Sequence, residues 1–155
     1  MANSYSMELC KKTQGWLNEL GFDHQFYEDT GVFKLESGID CSIQRYILLF
    51  KIRANGITSR SIIPIKVIEP KRPSVAEFFT RINYGLIEGN FEMDFADGEV
   101  AFRMYMHKPN TLPTDDDLCR TVAIHDLMWS EYSNAFLKVV FTDIDPHTTI
   151  TQIED

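Results

Sequence analysis

Asp115, Asp116 and Asp117 form the densest cluster of chemically capable side chains in this 155-residue chain: three adjacent carboxylates, of the kind that hard divalent cations take as oxygen ligands. Their setting points elsewhere. Thr114 precedes them and an apolar-periodic run follows, which places them in the first turn of a helix. Acids are stabilised there by the helix dipole, and consecutive side chains diverge. Capping, not metal binding, is the reading. His24, His107, His125 and His147 stand alone, with no i+4 histidine, no H-E-x-x-H setting and no cysteine at ligand spacing. His125 lies on a predicted helix and is read as a solvated or core residue. Cys10, Cys41 and Cys119 are far apart and lack a C-x-x-C pair, so buried or half-buried free thiols are expected. Neither a glycine-rich phosphate loop nor a G-x-S-x-G elbow occurs. Asn83 is a lone amide with no base, nucleophile or metal ligand nearby in sequence, and is read as a structural hydrogen-bonding residue. The expectation is no catalytic residue, no metal, no cofactor, and no enzymatic activity.

Charge gives a sharper signal. Net charge is −8, yet residues 1–89 hold 11 Lys/Arg against 10 Asp/Glu, while residues 90–155 hold 4 against 13. Overall acidity disfavours attraction to phosphate backbones, so no nucleic-acid partner is expected. Between Arg45 and Arg72, by contrast, there are seven basic residues and a single acid, Glu69. Strand alternation sends Arg45, Lys51, Arg53, Arg60 and Lys66 to the face of a sheet opposite its core, among Ile43, Ile47 and Leu49. Such a face is either solvated, partly covered by a helix or second subunit, or it receives an acidic, apolar peptide.

The elements that must position these residues follow from periodicity. Leu9, Thr13, Trp16, Leu17 and Leu20 recur at helical steps before a Gly21 stop. Period two takes over at Phe33, Leu35 and Ile39. Tyr46, Leu48, Phe50 and Ile52 form the apolar face of a strand near the sheet centre. Asn55-Gly56 predicts a tight hairpin with positive φ, followed by a strand through Ile63, Ile65 and Val67, with an edge or bulge at Pro64. Ser74 and Glu77 fit a capping box. It opens a helix with the stripe Val75, Phe78, Phe79, Ile82 and Leu86, which ends at Gly89. Within this helix Gly85 suggests close backbone approach, and Asn83 a side-chain hydrogen bond. A two-residue turn at Asp97-Gly98 would set Phe95, Met93 and Phe91 opposite Val100, Phe102 and Met104, with Glu92 opposite Arg103. After the Thr114 cap, Leu118, Val122, Ile124, Leu127 and Met128 are read as one buried side. A break at Ser130–Ser133 is expected before Phe136, Leu137, Val140 and Phe141. The order helix, strands, helix, hairpin, helix predicts an α+β fold, a single antiparallel sheet flanked by helices. One domain is expected over 1–155, with an ordered core at about 4–145 and a flexible acidic tail at 146–155. No signal-peptide pattern and no membrane-length apolar run occurs, so a cytoplasmic protein without membrane partners is expected.

The stretch RINYGLIEGNFEMDFADGEVAFRM, Arg81 to Met104, resembles the YbjN family in its N-Y-G-L helix end, its G-N-F-E-M-D strand and its D-G-E hairpin. The resemblance implies a fold like that of the type III secretion chaperones and a bacterial, non-enzymatic, regulatory protein. It also implies a homodimer, since those chaperones act as dimers that hold extended segments of client proteins. The combined expectation is a protein-binding module that engages a protein segment through its sheet face or a helix groove. The alternative is a domain that senses a small molecule between sheet and helices and signals through a partner protein.

Overall fold

The structure, a computed structural model, describes residues 4–154, with Glu154 described by its backbone alone. Helix α1 (Met7–Glu19) starts where the Ser6 hydroxyl accepts the Leu9 N–H at 3.2 Å. It buries Leu9, Cys10, Thr13, Trp16 and Leu17, while Leu20 falls outside the helix and is exposed. Strands β1 (Gln25–Tyr27), β2 (Val32–Gly38), β3 (Arg45–Ile52) and β4 (Gly56–Lys66) follow. Then come a 3₁₀ turn (Glu69–Lys71), α2 (Arg72–Gly85), β5 (Asn90–Met93), β6 (Glu99–His107), α3 (Asp115–Phe141) and α4 (Pro146–Glu154). The six strands form one antiparallel sheet in the order β1-β2-β3-β4-β6-β5. This is the α+β architecture anticipated, with β3 and β4 at the centre.

One face of the sheet carries the core. Phe33, Leu35, Tyr46, Leu48, Phe50, Ile52, Ile57, Ile63, Phe91 and Phe102 are buried on it. Trp16 of α1 packs edge-on to Phe50. Phe79 of α2 stacks on both Phe91 and Phe136, and Trp129 of α3 meets Phe91 edge-on. The helices therefore cover a single side. Asn83 ties α2 to the sheet: its amide accepts the Phe91 N–H at 2.8 Å and donates to the Phe91 carbonyl at 2.9 Å. The side chain thus supplies the two bonds that a neighbouring strand would have made.

Several local expectations are corrected. Gly56 has ordinary negative φ, and a Cβ there would collide with the Met106 carbonyl and the Tyr105 ring. Close approach to β6, not turn geometry, requires glycine. At Pro64 the bulge expected as the alternative to an edge is what occurs: the residue sits in a central strand, at an irregularity in the β4–β6 pairing between Ile62 and Lys66 and beyond the paired part of β3. Ser74 is not a cap. Pro70 and Pro73, with φ fixed near helical values, let the turn and helix begin earlier, and no side chain caps α2. That helix ends at Gly85, where an added Cβ would meet nothing, whereas Gly89 lies in the following turn at φ +71°.

The β5–β6 connection is five residues, 94–98. The Asp94 carbonyl accepts the Gly98 N–H at 2.7 Å, and the Asp94 and Asp97 carboxylates accept the Ala96 and Glu99 N–H groups. The observed register sets Phe91 opposite Phe102 and Met93 opposite Val100, two residues from the expected pairing. A shift of two preserves the side-chain face, so Phe91, Val100 and Phe102 stay buried, while Phe95 moves into the loop and is 57% exposed.

Helix α3 opens with a capping box between Thr114 and Asp117 and runs unbroken for 27 residues, through the break expected at Ser130–Ser133. Its buried stripe is Leu118, Thr121, His125, Trp129, Ser133, Phe136 and Val140, and Leu127 is exposed. Residues 146–154 are helical rather than frayed. Asp145 accepts the Thr148 N–H at 3.0 Å, Thr149 is buried, and Ile150 and Ile153 pack against the core. Asp155, the last residue of the expected tail, lies outside the described residues. Of the cysteines, Cys10 is buried and Cys41 half-buried, but Cys119 is exposed.

The α3 stripe is out of phase with a purely apolar pattern because a polar set joins it to β4. Trp129 Nε1–H donates to Ser61 Oγ at 2.8 Å, Ser61 Oγ lies 2.6 Å from His125 Nδ1, and His125 Nε2 lies 2.8 Å from Ser59 Oγ. With Ser61 accepting from Trp129 and donating to Nδ1, His125 is the neutral Nε2–H tautomer and donates to Ser59. Burial pushes its pKa down from 6.5 to about 3. Below about pH 6.5 the unfolded chain takes up a proton that the folded chain refuses until about pH 3, so stability falls as pH drops through that window. Urea unfolding between pH 7 and 4.5 should show this group's loss, up to about 1.4 kcal/mol per pH unit. His125→Asn should be less stable at pH 7 and show a flatter slope below pH 6.

Candidate protein-binding face

The sheet face turned away from the helices is open. Its rows follow from the strand register. One runs Lys34, Leu49, Arg60, Arg103, and the next runs Glu36, Ile47, Ile62, Ala101. A third runs Tyr27, Val32, Lys51, Thr58, Tyr105. Ile47, Leu49 and Ile62 are only half-buried, so the face has an apolar centre bordered by charge.

The five basic residues singled out in the sequence fall into two groups. Arg60 and Lys66 are neutralised by acids from β5, β6 and their connecting loop. Arg60 stands directly opposite Arg103, a like-charge juxtaposition that is destabilising alone. Glu92 resolves it, taking Arg60 Nε on one carboxylate oxygen at 2.7 Å and Arg103 Nε on the other at 3.2 Å. Glu99 adds a longer contact to Arg60 at 3.4 Å. The expected Glu92–Arg103 pair thus exists as a diagonal one. Lys66 bonds to Asp97, which raises the lysine pKa and lowers that of the carboxyl. Arg45 and Lys51, at the two ends of β3, and Arg53, just beyond it, are exposed and make no ion pair among the described residues. Arg53 Nε donates to Thr58 Oγ1 at 3.2 Å. Lys34 on β2 joins this unpaired group. Its strand face was legible from alternation, but its place beside Leu49 needed the β2–β3 register.

Sequence reasoning also missed a cavity of about 720 Å³ where β6 extends past β5. Met104, Met106 and Ser59 line it from the sheet, Leu118 and Thr121 from the first turns of α3. Two ion pairs, Lys108–Asp117 at 3.0 Å and Arg120–Glu88 at 2.7 Å, stand in its walls. Among the described residues no group of three or more His, Cys, Asp or Glu could hold a metal ion, and no helix is long and apolar enough to cross a membrane.

A two-layer α+β structure, with helices on one face of a six-stranded antiparallel sheet and the other face open, defines the class. Among solved structures the chain is similar to the crystal structure of YbjN, a candidate transcription regulator from E. coli. The TM-score is 0.56 and the identity 14%, over 77% of this chain and 84% of that one. The YbjN-like fold suggested by residues 81–104 is therefore the fold found. No protein-family model and no curated protein sequence matches the chain.

Because Glu92 bridges two opposed arginines, Glu92→Gln should cost about 1 kcal/mol in urea unfolding at low salt. The deficit should shrink at high salt, which screens the Arg60–Arg103 repulsion.

Proposed function

We propose that the protein is a non-enzymatic binding module of chaperone-like or regulatory type. It receives an acidic, partly apolar protein segment on the open face of its sheet. The observation that carries this reading is the juxtaposition on β2 and β3 of half-buried Ile47 and Leu49 with the unpaired cations Lys34, Arg45, Lys51 and Arg53. Apolar burial would supply affinity and the cations would steer and orient the partner. The net charge of −8 disfavours direct contact with nucleic acid, so a regulatory role of this kind would act through protein contacts.

The test is fluorescence anisotropy with a labelled extended peptide that alternates glutamate with leucine, against a counterpart carrying lysine for glutamate. The acidic peptide should bind, and added salt should weaken it. Reversing Arg45, Lys51 and Arg53 to glutamate should raise its dissociation constant by about tenfold or more. The thermal transition should change little, because none of the three is buried or ion-paired. Equal binding by the reversed variant, or no preference for the acidic peptide, would discard the surface.

The cavity beside β6 favours a second reading, a small-molecule sensor that signals through a partner protein. Its volume suits a metabolite-sized ligand. A metabolite-library thermal shift should then find a ligand that stabilises the chain by about 2.7 kcal/mol at a hundredfold excess over its dissociation constant. Substituting Met104 with a charged residue should abolish the shift.

A further inference from the structure

The buried polar set on α3 ends at the cavity beside β6. Trp129 donates to Ser61, Ser61 to His125 Nδ1, and His125 Nε2–H to Ser59 Oγ at 2.8 Å. Each donor in this series has its acceptor until the last. Ser59 Oγ has no side-chain partner besides His125 among the described residues, so its own hydrogen is left without an acceptor. Running the series in the opposite sense would leave that surplus hydrogen on Ser61, which is 0% exposed and lines no cavity. Ser59 is only 2% exposed, yet it lines the cavity next to its register partner Met104. A buried hydroxyl donor that opens onto a cavity is unfavourable until an acceptor fills the place.

The other end of the cavity is charged. Residues 90–155 hold four basic residues against 13 acids, and three of the four, Arg103, Lys108 and Arg120, line this one cavity. Arg103 is engaged by Glu92, but the other two keep donors free. Lys108 meets Asp117 at 3.0 Å through one of its three ammonium hydrogens, and Arg120 meets Glu88 at 2.7 Å through one of its five. Asp117 is also tied into the α3 cap by the Thr114 N–H. Asp117 stands two turns of α3 before His125, about 12 Å along the helix axis. Met104, Met106 and Leu118 line the cavity as well and give it an apolar surface.

We infer that the cavity binds an amphipathic organic acid. A neutral carbonyl oxygen accepts from Ser59 at the buried end, an apolar body lies against Met104, Met106 and Leu118, and a carboxylate reaches Lys108 and Arg120 at the mouth. The buried group is neutral because its neighbour His125 is neutral and an unpaired anion would be heavily penalised there. The inference rests on the small-molecule reading of this cavity and adds which molecules it takes.

Calorimetric titration of the full chain with three probes of one chain length tests it. Monomethyl sebacate carries an ester carbonyl and a carboxylate about two helical turns apart. Decanoate lacks the carbonyl, and dimethyl sebacate lacks the charge. The monoester should bind about tenfold or more tightly than either. Ser59→Ala should bring the monoester down to the affinity of decanoate and leave decanoate unchanged, a difference that a general loosening of the fold would not produce. Lys108→Gln combined with Arg120→Gln leaves the buried polar set intact, so it tests the other end even if Ser59→Ala does not fold. It should bring the monoester down to the affinity of the dimethyl ester. In the wild type, a monoester no tighter than decanoate would overturn the Ser59 contact, and one no tighter than the dimethyl ester would overturn the charged mouth. In either case the cavity still binds small molecules and the sensor reading survives. Binding of none of the three would overturn the inference, and the metabolite-library shift then decides the sensor reading on its own.

Discussion

The rotation of α3 about its own axis governs much of this structure, and a small polar set fixes it. His125 and Trp129 reach Ser61 and Ser59 in the central strand β4, with every distance between 2.6 and 2.8 Å. Turning the helix by one residue would strip these bonds and leave an imidazole, an indole N–H and two hydroxyls buried without partners. Each such group costs about 1–3 kcal/mol. Two further contacts hold the same rotation: Tyr46 donates to Asp126 at 2.5 Å, and Ser42 to Asn134. The apolar residues next to these anchors, Ile124 and Leu127, are thereby sent to the flank.

The sheet shows a second consequence of one-sided packing. With the helices confined to the core face, the outer face must be stable against water by its own side chains. On the β4–β6 side it achieves this by charge pairing: Glu92 between Arg60 and Arg103, and Asp97 on Lys66. On the β2–β3 side the cations stay unpaired around half-buried aliphatics. The asymmetry separates a self-satisfied half from one whose charge and apolar area are available to a partner, and it does not follow from composition, since both halves are rich in Lys and Arg.

Legibility of the fold varied with the physics behind each element. The strands through Tyr46–Ile52 and the β5–β6 hairpin were readable because alternation has period two, and even a register error of two residues keeps the side chains that remain in the strands on their faces. The hairpin loop was not, since the Asp94 and Asp97 carboxylates bond backbone N–H groups and sustain a five-residue turn around Gly98. At α2 the prolines outweighed the serine cap. The role of Asn83 was anticipated in kind, but its partner, Phe91, depends on where β5 lies. For the candidate face, alternation placed Arg45, Lys51 and Arg60 on one side, whereas which of them are neutralised depends on acids contributed by strands remote in sequence.

The sequence by itself determined the element order as far as the third helix, the single antiparallel sheet and its buried aromatic face, because local periodicity and hydrophobic burial act over a few residues and tolerate small errors of register. Only the tertiary structure decided the rotation of α3, the pairing of the outer charges and the exposure of Leu127. Those features rest on contacts between elements remote in sequence, such as Arg60 with Glu92, Ser59 with His125 and Ser61 with Trp129, which are 32, 66 and 68 positions apart. A buried polar group must find its partner before apolar residues take the positions that remain.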